Sequence, residues 1–173
     1  MIREDAQVSR SISISGREIG PEHPPFVIAE ISANHQGSLR EALDLLSIAK
    51  DAGADAVKIQ TYTADTITLK SDNRDFLIEG GAWDGYRLYD LYEAAHTPWD
   101  WHERLFDAAR DLELILFSSP FDATAVQFLE KFDPPAYKVA SFEAVDTPLI
   151  EHVARVGKPV IISTGMASCE EIG

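Results

Sequence analysis

Short apolar runs alternate with amphipathic stretches of helical period along this chain, and that rhythm restricts the fold more than any other feature. The runs at 26–31, 56–62, 115–118, 137–140 and 159–163 have strand length and are apolar almost throughout. A strand with no polar face is buried on both sides, which is the mark of a parallel sheet covered by helices. The intervening stretches supply the helices. Leu39, Ala42, Leu43, Leu46 and Ala49 fall on one face, as do Trp101, Leu105, Ala108 and Leu112, and then Ala125, Phe128, Leu129 and Phe132. Ser38-x-x-Glu41, Thr97-Pro98, Asp122 and Ser168-x-x-Glu171 are starting signals. Gly53, Asp133-Pro134-Pro135 and Gly157 are stops.

Two segments lie outside the rhythm. Residues 11–20 alternate and predict a hairpin with Gly16 in its turn, ended by Pro21, Pro24 and Pro25. Residues 63–95 form a long insertion after the second strand. Within it, 65–69 reads as extended, 80–85 as a glycine-rich loop and 88–95 as a short helix. An insertion of this length is more often functional than idle. Five strands would complete a doubly wound sheet, whereas a (β/α) barrel needs about eight strands and roughly 250 residues. The chain has 173 residues and stops one turn into a well-capped helix, so the expectation is the front part of a longer barrel.

Charge and cysteine usage narrow the partners. A net charge of −14 argues against nucleic acid and anionic membranes, and requires that an anionic substrate be held by a few local cations. One cysteine, Cys169, allows no disulfide within the chain and fits a reducing cytoplasm. No apolar run is long enough to span a bilayer.

Polar residues collect where strands end: Glu30, Lys58, Gln60, Ser119, Lys138, Ser141, Glu143 and Ser163. Lysine inside an apolar strand is costly unless its charge is used. Lys58 and Lys138 are candidate anchors for phosphate or carboxylate, with the serines as neutral donors. Glu30 and Glu143 are candidate proton-transfer groups. The plainer reading makes Glu30 and Lys58 a structural ion pair. Four charged groups at strand C-termini favour a site. Parity puts Lys138 and Ser141 on opposite faces of a regular strand, so Ser141 must lie beyond a bend to share the site. His35 reads equally as a helix-entry residue bonded to backbone or as a substrate contact, and the other histidines read as surface or structural. Trp83, in its glycine loop, is the candidate for a lid.

The motifs Ile-Ala-Glu-Ile-x-x-Asn-His-x-Gly (28–37), Ala-Val-Lys-Ile-Gln-Thr (56–61), Ser-Ser-Pro-Phe (118–121), Tyr-Lys-Val-Ala-Ser-x-Glu (137–143) and Ile-Ser-Thr-Gly-Met (162–166) resemble the sialic acid synthase family. The segments 83–95 and 97–102 are similar to its pseudaminic acid synthase branch. The resemblance implies a (β/α) TIM barrel truncated after about five strands, with the hairpin extension at 1–24 and the barrel part at 25–173. The last strands and a C-terminal antifreeze-like domain would be absent. It implies a homodimer in the full-length form. It places Lys58, Ser119, Lys138, Ser141 and Ser163 on phosphoenolpyruvate, Gln60 and Glu143 toward an amino sugar, and Glu30 as a catalytic carboxylate. Asn34 belongs to the motif and is grouped with the substrate-binding residues. A divalent metal, manganese or magnesium, is expected in the family, its two histidine ligands lying beyond this chain. The implied reaction joins phosphoenolpyruvate to 2,4-diacetamido-2,4,6-trideoxy-altrose, giving pseudaminic acid and phosphate. N-acetylneuraminate or legionaminate synthesis, a Schiff-base aldolase using Lys138 or Lys58, and a non-catalytic half-barrel that binds or assembles are the alternatives. The isolated chain is expected to be inactive.

Overall fold

A computed structural model of the chain describes residues 11–173; the first ten residues of the expected extension at 1–24 lie outside it. Strands β1 (Ile12–Ile14) and β2 (Arg17–Ile19) form the expected antiparallel hairpin. Its turn, Ser15-Gly16, has φ of 50° and 77°. Two successive positive φ values give the turn a twist that matches the strands it joins.

Five parallel strands follow: β3 (Ile28–Glu30), β4 (Ala56–Thr61), β5 (Ile115–Pro120), β6 (Tyr137–Val139) and β7 (Val160–Ile162). They are hydrogen-bonded in the order β3-β4-β5-β6-β7. That order decides between the two architectures open to the sequence. A doubly wound sheet reverses direction at a switch point and carries helices on both faces. Here each strand adds beside the one before it, and the sheet curls into a half-barrel with its main helices on one side. Helices α1 (Leu39–Asp51), α4 (His102–Asp111), α5 (Ala123–Leu129) and α6 (Thr147–Arg155) contribute Leu46, Leu105, Leu129 and Val153 to one buried layer. That layer packs on Val57, Ile59, Leu116 and Tyr137, the outward residues of the strands. The opposite face buries Ala56, Phe117 and Ala136 together with Ile14 of the hairpin. The hairpin thus covers the end of the barrel where the strands begin, and the Arg17–Asp55 ion pair (3.6 Å) ties it there.

The caps follow the sequence signals. Ser38 accepts from the Glu41 N–H, Asp122 from Thr124 and Ala125, and Asp146 from Leu149. At α7 (Cys169–Ile172), Ser168 and Glu171 cap each other reciprocally. Three expectations need correction. The segment 65–69 is not extended. Ala64–Ile67 is a one-turn helix, α2, because the Thr66 hydroxyl accepts from the Thr63 N–H and donates to the Thr63 carbonyl. Pro98 does not open α4 directly; a 3-10 turn, Trp99–Trp101, intervenes. β3 is less buried than an all-apolar run suggests, since among the described residues it has a neighbour on one side only. The short helix of the insertion, α3 (Leu88–Ala95), forms as expected.

Candidate active site

Strand alternation sorts the polar residues by face. On β4, Lys58 and Gln60 share the inner face with Ala56, while Val57, Ile59 and Thr61 point to the helices. On β5, Phe117 and Ser119 are inner and Leu116 and Ser118 outer. Register then aligns Glu30 with Lys58 and Gln60 with Ser119 at the C-terminal ends of the strands. Lys138 joins this face from β6, and Ser163 follows two residues after inner-facing Ile161, its N–H continuing the ladder to the Val139 carbonyl (3.1 Å). The bend needed for Ser141 is present. A 3-10 turn, Ser141–Val145, starts at the strand's end and carries the Ser141 hydroxyl over the backbone at Gly165.

Lys58 is paired with Glu30, as the plainer reading held. Lys138 has no ion-pair partner among the described residues. Burial pushes its pKa down, and the charge of nearby Lys58 pushes it further, against the opposing pull of Glu30 and Glu143. Lys58 thus lies close enough to disfavour the Lys138 charge, which makes the strand ends around Lys138 a candidate anion site. Beside them, Ser119 Oγ and Glu143 Oε2 are buried and have no hydrogen-bond partner. A buried polar atom left unpaired costs roughly 1–3 kcal/mol, so each is a valence open to a ligand; among the described residues Tyr137 Oη and His35 Nε2 are also buried and unpaired, away from the two lysines' face. Burial is also the main cause that raises the Glu143 pKa, against its backbone N–H and Lys138, so Glu143 keeps its proton to higher pH than a free glutamate.

Ser32 had no assigned role in the sequence and acquires one. It sits in the left-handed region (φ 46°), and its hydroxyl donates to the Gln60 amide oxygen at 2.9 Å. This fixes the amide with its NH2 group as the free end. The Glu-Ile-Ser-Ala-Asn turn after β3 was a readable signal, but which of its residues reaches β4 is a tertiary fact. Gln60 and Glu143 are the charged or amide side chains lining a cavity of about 570 Å³ above β4–β6, whose remaining wall is largely aromatic and aliphatic.

Asn34 is exposed in the turn after β3, and its side chain makes no hydrogen bond among the described residues. His35 is buried edge-on to Trp101 (5.3 Å), with Nδ1 accepting from the Gly37 N–H (3.1 Å). Burial lowers its pKa. It packs at the helix entry, and its Nε2 is buried without a hydrogen-bond partner among the described residues. Trp83 is half exposed and packs on Tyr86 (5.8 Å) within its loop, away from the cavity. Among the described residues no three His, Cys, Asp or Glu side chains converge on a point that would hold a metal ion. The divalent ion implied by the resemblance therefore has no fit among the described residues. No helix among the described residues is long and apolar enough to cross a membrane.

The chain is similar in sequence and fold to known proteins. The pseudaminic acid synthase of Campylobacter jejuni is 54% identical over 147 residues, covering 85% of this chain and 43% of that protein. That of Helicobacter pylori is 49% identical over 149 residues, covering 86% of this chain and 44% of its own length. The crystal structure of an N-acetylneuraminic acid synthetase from Leptospira borgpetersenii superposes with a TM-score of 0.80 at 28% identity, covering 94% of this chain and 52% of that one. The chain thus spans less than half the length of the curated relatives it matches. The sequence pattern of the NeuB family matches residues 45–173, and with the relatives' identity this establishes that the chain belongs to the NeuB family.

Proposed function

We propose that this chain carries the phosphoenolpyruvate-holding part of a synthase that condenses phosphoenolpyruvate with an N-acetylated amino sugar. The sugar is 2,4-diacetamido-2,4,6-trideoxy-altrose and the product pseudaminic acid, with release of phosphate. The observation that carries this reading is the pair Lys58 and Lys138 set together on the inner face, with the unpartnered Ser119 hydroxyl and Glu143 carboxyl beside them. In a chain of net charge −14, such a cation pair suits a multiply charged anion. The names of the relatives agree with it.

Lys58, Lys138 and the Ser119 hydroxyl hold the phosphate and carboxylate, with Ser141 and Ser163 closing from the next strand ends. Gln60 presents its NH2 group to the sugar. The enol carbon of phosphoenolpyruvate attacks the sugar aldehyde, forming the new C–C bond, and the aldehyde oxygen takes up a proton. Glu143, whose pKa is raised by burial, is placed to supply it. Water adds to the cation left at C2 and loses a proton to Glu30, the carboxylate paired with Lys58. The resulting tetrahedral phosphate ester collapses to the 2-keto acid and inorganic phosphate.

Calorimetric titration of phosphoenolpyruvate into the chain tests the binding part. Binding that is lost in both Lys58→Ala and Lys138→Ala is expected. Binding unchanged by either substitution would remove the basis of the reading. A phosphate-release assay on the protein at its native length, with altrose- and mannose-configured sugars, tests the acceptor. One observation favours a Schiff-base aldolase as a second reading, the lowered pKa of Lys138. A borohydride-trapped adduct on Lys138 with a keto acid, and no phosphate release, would place it first.

A further inference from the structure

The insertion between β4 and α4 closes one side of the cavity above the strand ends, and its chemistry says what can lie there. Ile67 of α2, Thr68 just after it, and Leu88 and Tyr92 of α3 line it together with Tyr62, which follows β4. Tyr62 is buried and packs edge-on against Tyr92 (5.9 Å) and Phe121 (5.3 Å), which fixes the aromatic wall. Burial, with Tyr92 adding to it, pushes the Tyr62 hydroxyl up to about 12, so this side of the cavity carries no charge. Gln60 and Glu143 line the same cavity. A sugar in this space meets both the aromatic wall and these two polar side chains. Hydroxyls turned toward the wall would be stripped of water with few partners, whereas a methyl group there gains burial.

We propose that Leu88 and Tyr92, with Ile67 and Tyr62, form a specificity-determining wall that takes a methyl-terminated substituent of the acceptor sugar. The inference rests on the condensation reading for the cavity's occupant being a sugar. It selects a deoxygenated or acylated amino sugar against a polyhydroxylated one. The methyl can come from a 6-deoxy terminus or from an acetamido group, and the Gln60 NH2 group, oriented by Ser32, is placed to donate to the carbonyl oxygen in the second case.

The test uses the chain saturated with phosphoenolpyruvate and three probes: N-acetylmannosamine, its 6-deoxy counterpart and mannosamine. Dissociation constants and saturation-transfer NMR are read for each. The expected result is a preference of about tenfold for the probe carrying the buried methyl, the scale of one apolar group in a fitted pocket. Its methyl resonance should receive the strongest saturation. A preference for the 6-deoxy probe identifies the terminal methyl, and a preference for N-acetylmannosamine over mannosamine alone identifies the acyl methyl. Leu88→Gln and Tyr92→Gln should each reduce the preference below twofold while phosphoenolpyruvate affinity is kept, which also certifies that the variants fold. Equal affinity for all three probes, or a preference that survives both substitutions, overturns the wall. Loss of phosphoenolpyruvate binding with the sugar preference intact would instead sink the condensation reading and leave the wall standing.

Discussion

Acidification should weaken the chain through one residue remote from the chemistry, His102. The imidazole is fully buried at the start of α4, against Phe128 (5.1 Å) and Phe132 (6.2 Å). Nδ1 lies 3.2 Å from the Pro98 carbonyl, which can only accept, so the neutral ring carries its proton there. Nε2 then accepts from the Thr61 hydroxyl at 2.8 Å, and Ser118, 2.6 Å from Thr61, donates at the head of the chain. Protonation of Nε2 need not break this network. The two hydroxyls can turn round and end on the Ile59 carbonyl, 3.2 Å from Ser118. What protonation cannot avoid is a charge in the core, and burial is the leading cause that pushes the pKa down to about 4, against the nearby carbonyls and Asp100. The unfolded chain takes up this proton near 6.5, so between about 6.5 and 4 it binds more protons than the folded chain. Stability is full above 6.5, falls as pH drops through that window and levels off below it. At about 1.4 kcal/mol per pH unit the loss is roughly 3 kcal/mol. Urea unfolding at pH 7.5, 5.5 and 4, followed by tryptophan fluorescence, should show it as a difference between the native chain and His102→Gln, which cancels the titration of carboxylates. Glu143 makes that subtraction necessary. Its raised pKa contributes with the opposite sign, favouring the folded chain as pH falls. A gap between native chain and variant that stays constant from pH 7.5 to 4, or an NMR titration of His102 near 6.5 in the folded chain, would refute the reasoning.

The remaining predictions concern the site. Ser119→Ala removes a hydroxyl with no partner, so unfolding free energy should change by less than about 1 kcal/mol while phosphoenolpyruvate affinity falls about tenfold; a large stability loss with unchanged affinity would contradict this. An anion bound beside Lys138 and Glu143 raises both pKa values, so binding should take up protons, and the calorimetric enthalpy should vary with the buffer's ionisation enthalpy in the direction of uptake. Proton release would count against it. Ser32→Ala frees the Gln60 amide to turn over and should weaken sugar binding several-fold with phosphoenolpyruvate affinity unchanged, read by parallel titrations. Ser32→Thr, which keeps the hydroxyl, should recover part of the loss.

The parallel sheet and the order of its elements were legible because burial on two faces leaves a plain trace, an apolar run with capped amphipathic stretches between. The bend before Ser141 followed from parity once Ser141 and Lys138 were taken to share a site. The helix at 88–95 in the insertion was legible too, but the start of the insertion was not. Residues 65–69 have β-branched character, but a local hydroxyl bond between Thr66 and Thr63 outweighs propensity over so short a span. The role of Ser32 was hidden for a different reason. Its partner is 28 residues away, and the contact exists only once β3 and β4 are paired. His35 and His102 look alike in sequence, each at the start of a helix. Their burial follows from which face of the sheet the helix covers.

The dipeptide Ser118-Ser119 shows how the two polar systems of this chain are kept apart. Neither serine is informative alone, since small polar residues commonly end strands. Pleating sends them to opposite sides of one strand. Ser118 joins Thr61 and His102 on the helix side, in a network where each of the three side chains has its partner. Ser119 joins Lys58 and Gln60 on the inner side, where its hydroxyl has no partner. The satisfied network clamps β4 to β5 within one residue of the unsatisfied one. The clamp therefore fixes the positions of Gln60 and Ser119 without using either of them. On this argument Ser118→Ala and Ser119→Ala, chemically the same change one residue apart, should act on different quantities. The first leaves Thr61 short of a partner and should lower unfolding free energy by roughly 1–3 kcal/mol, and the second should lower ligand affinity. If both variants moved the same quantity, the two faces of β5 would not be functionally separate.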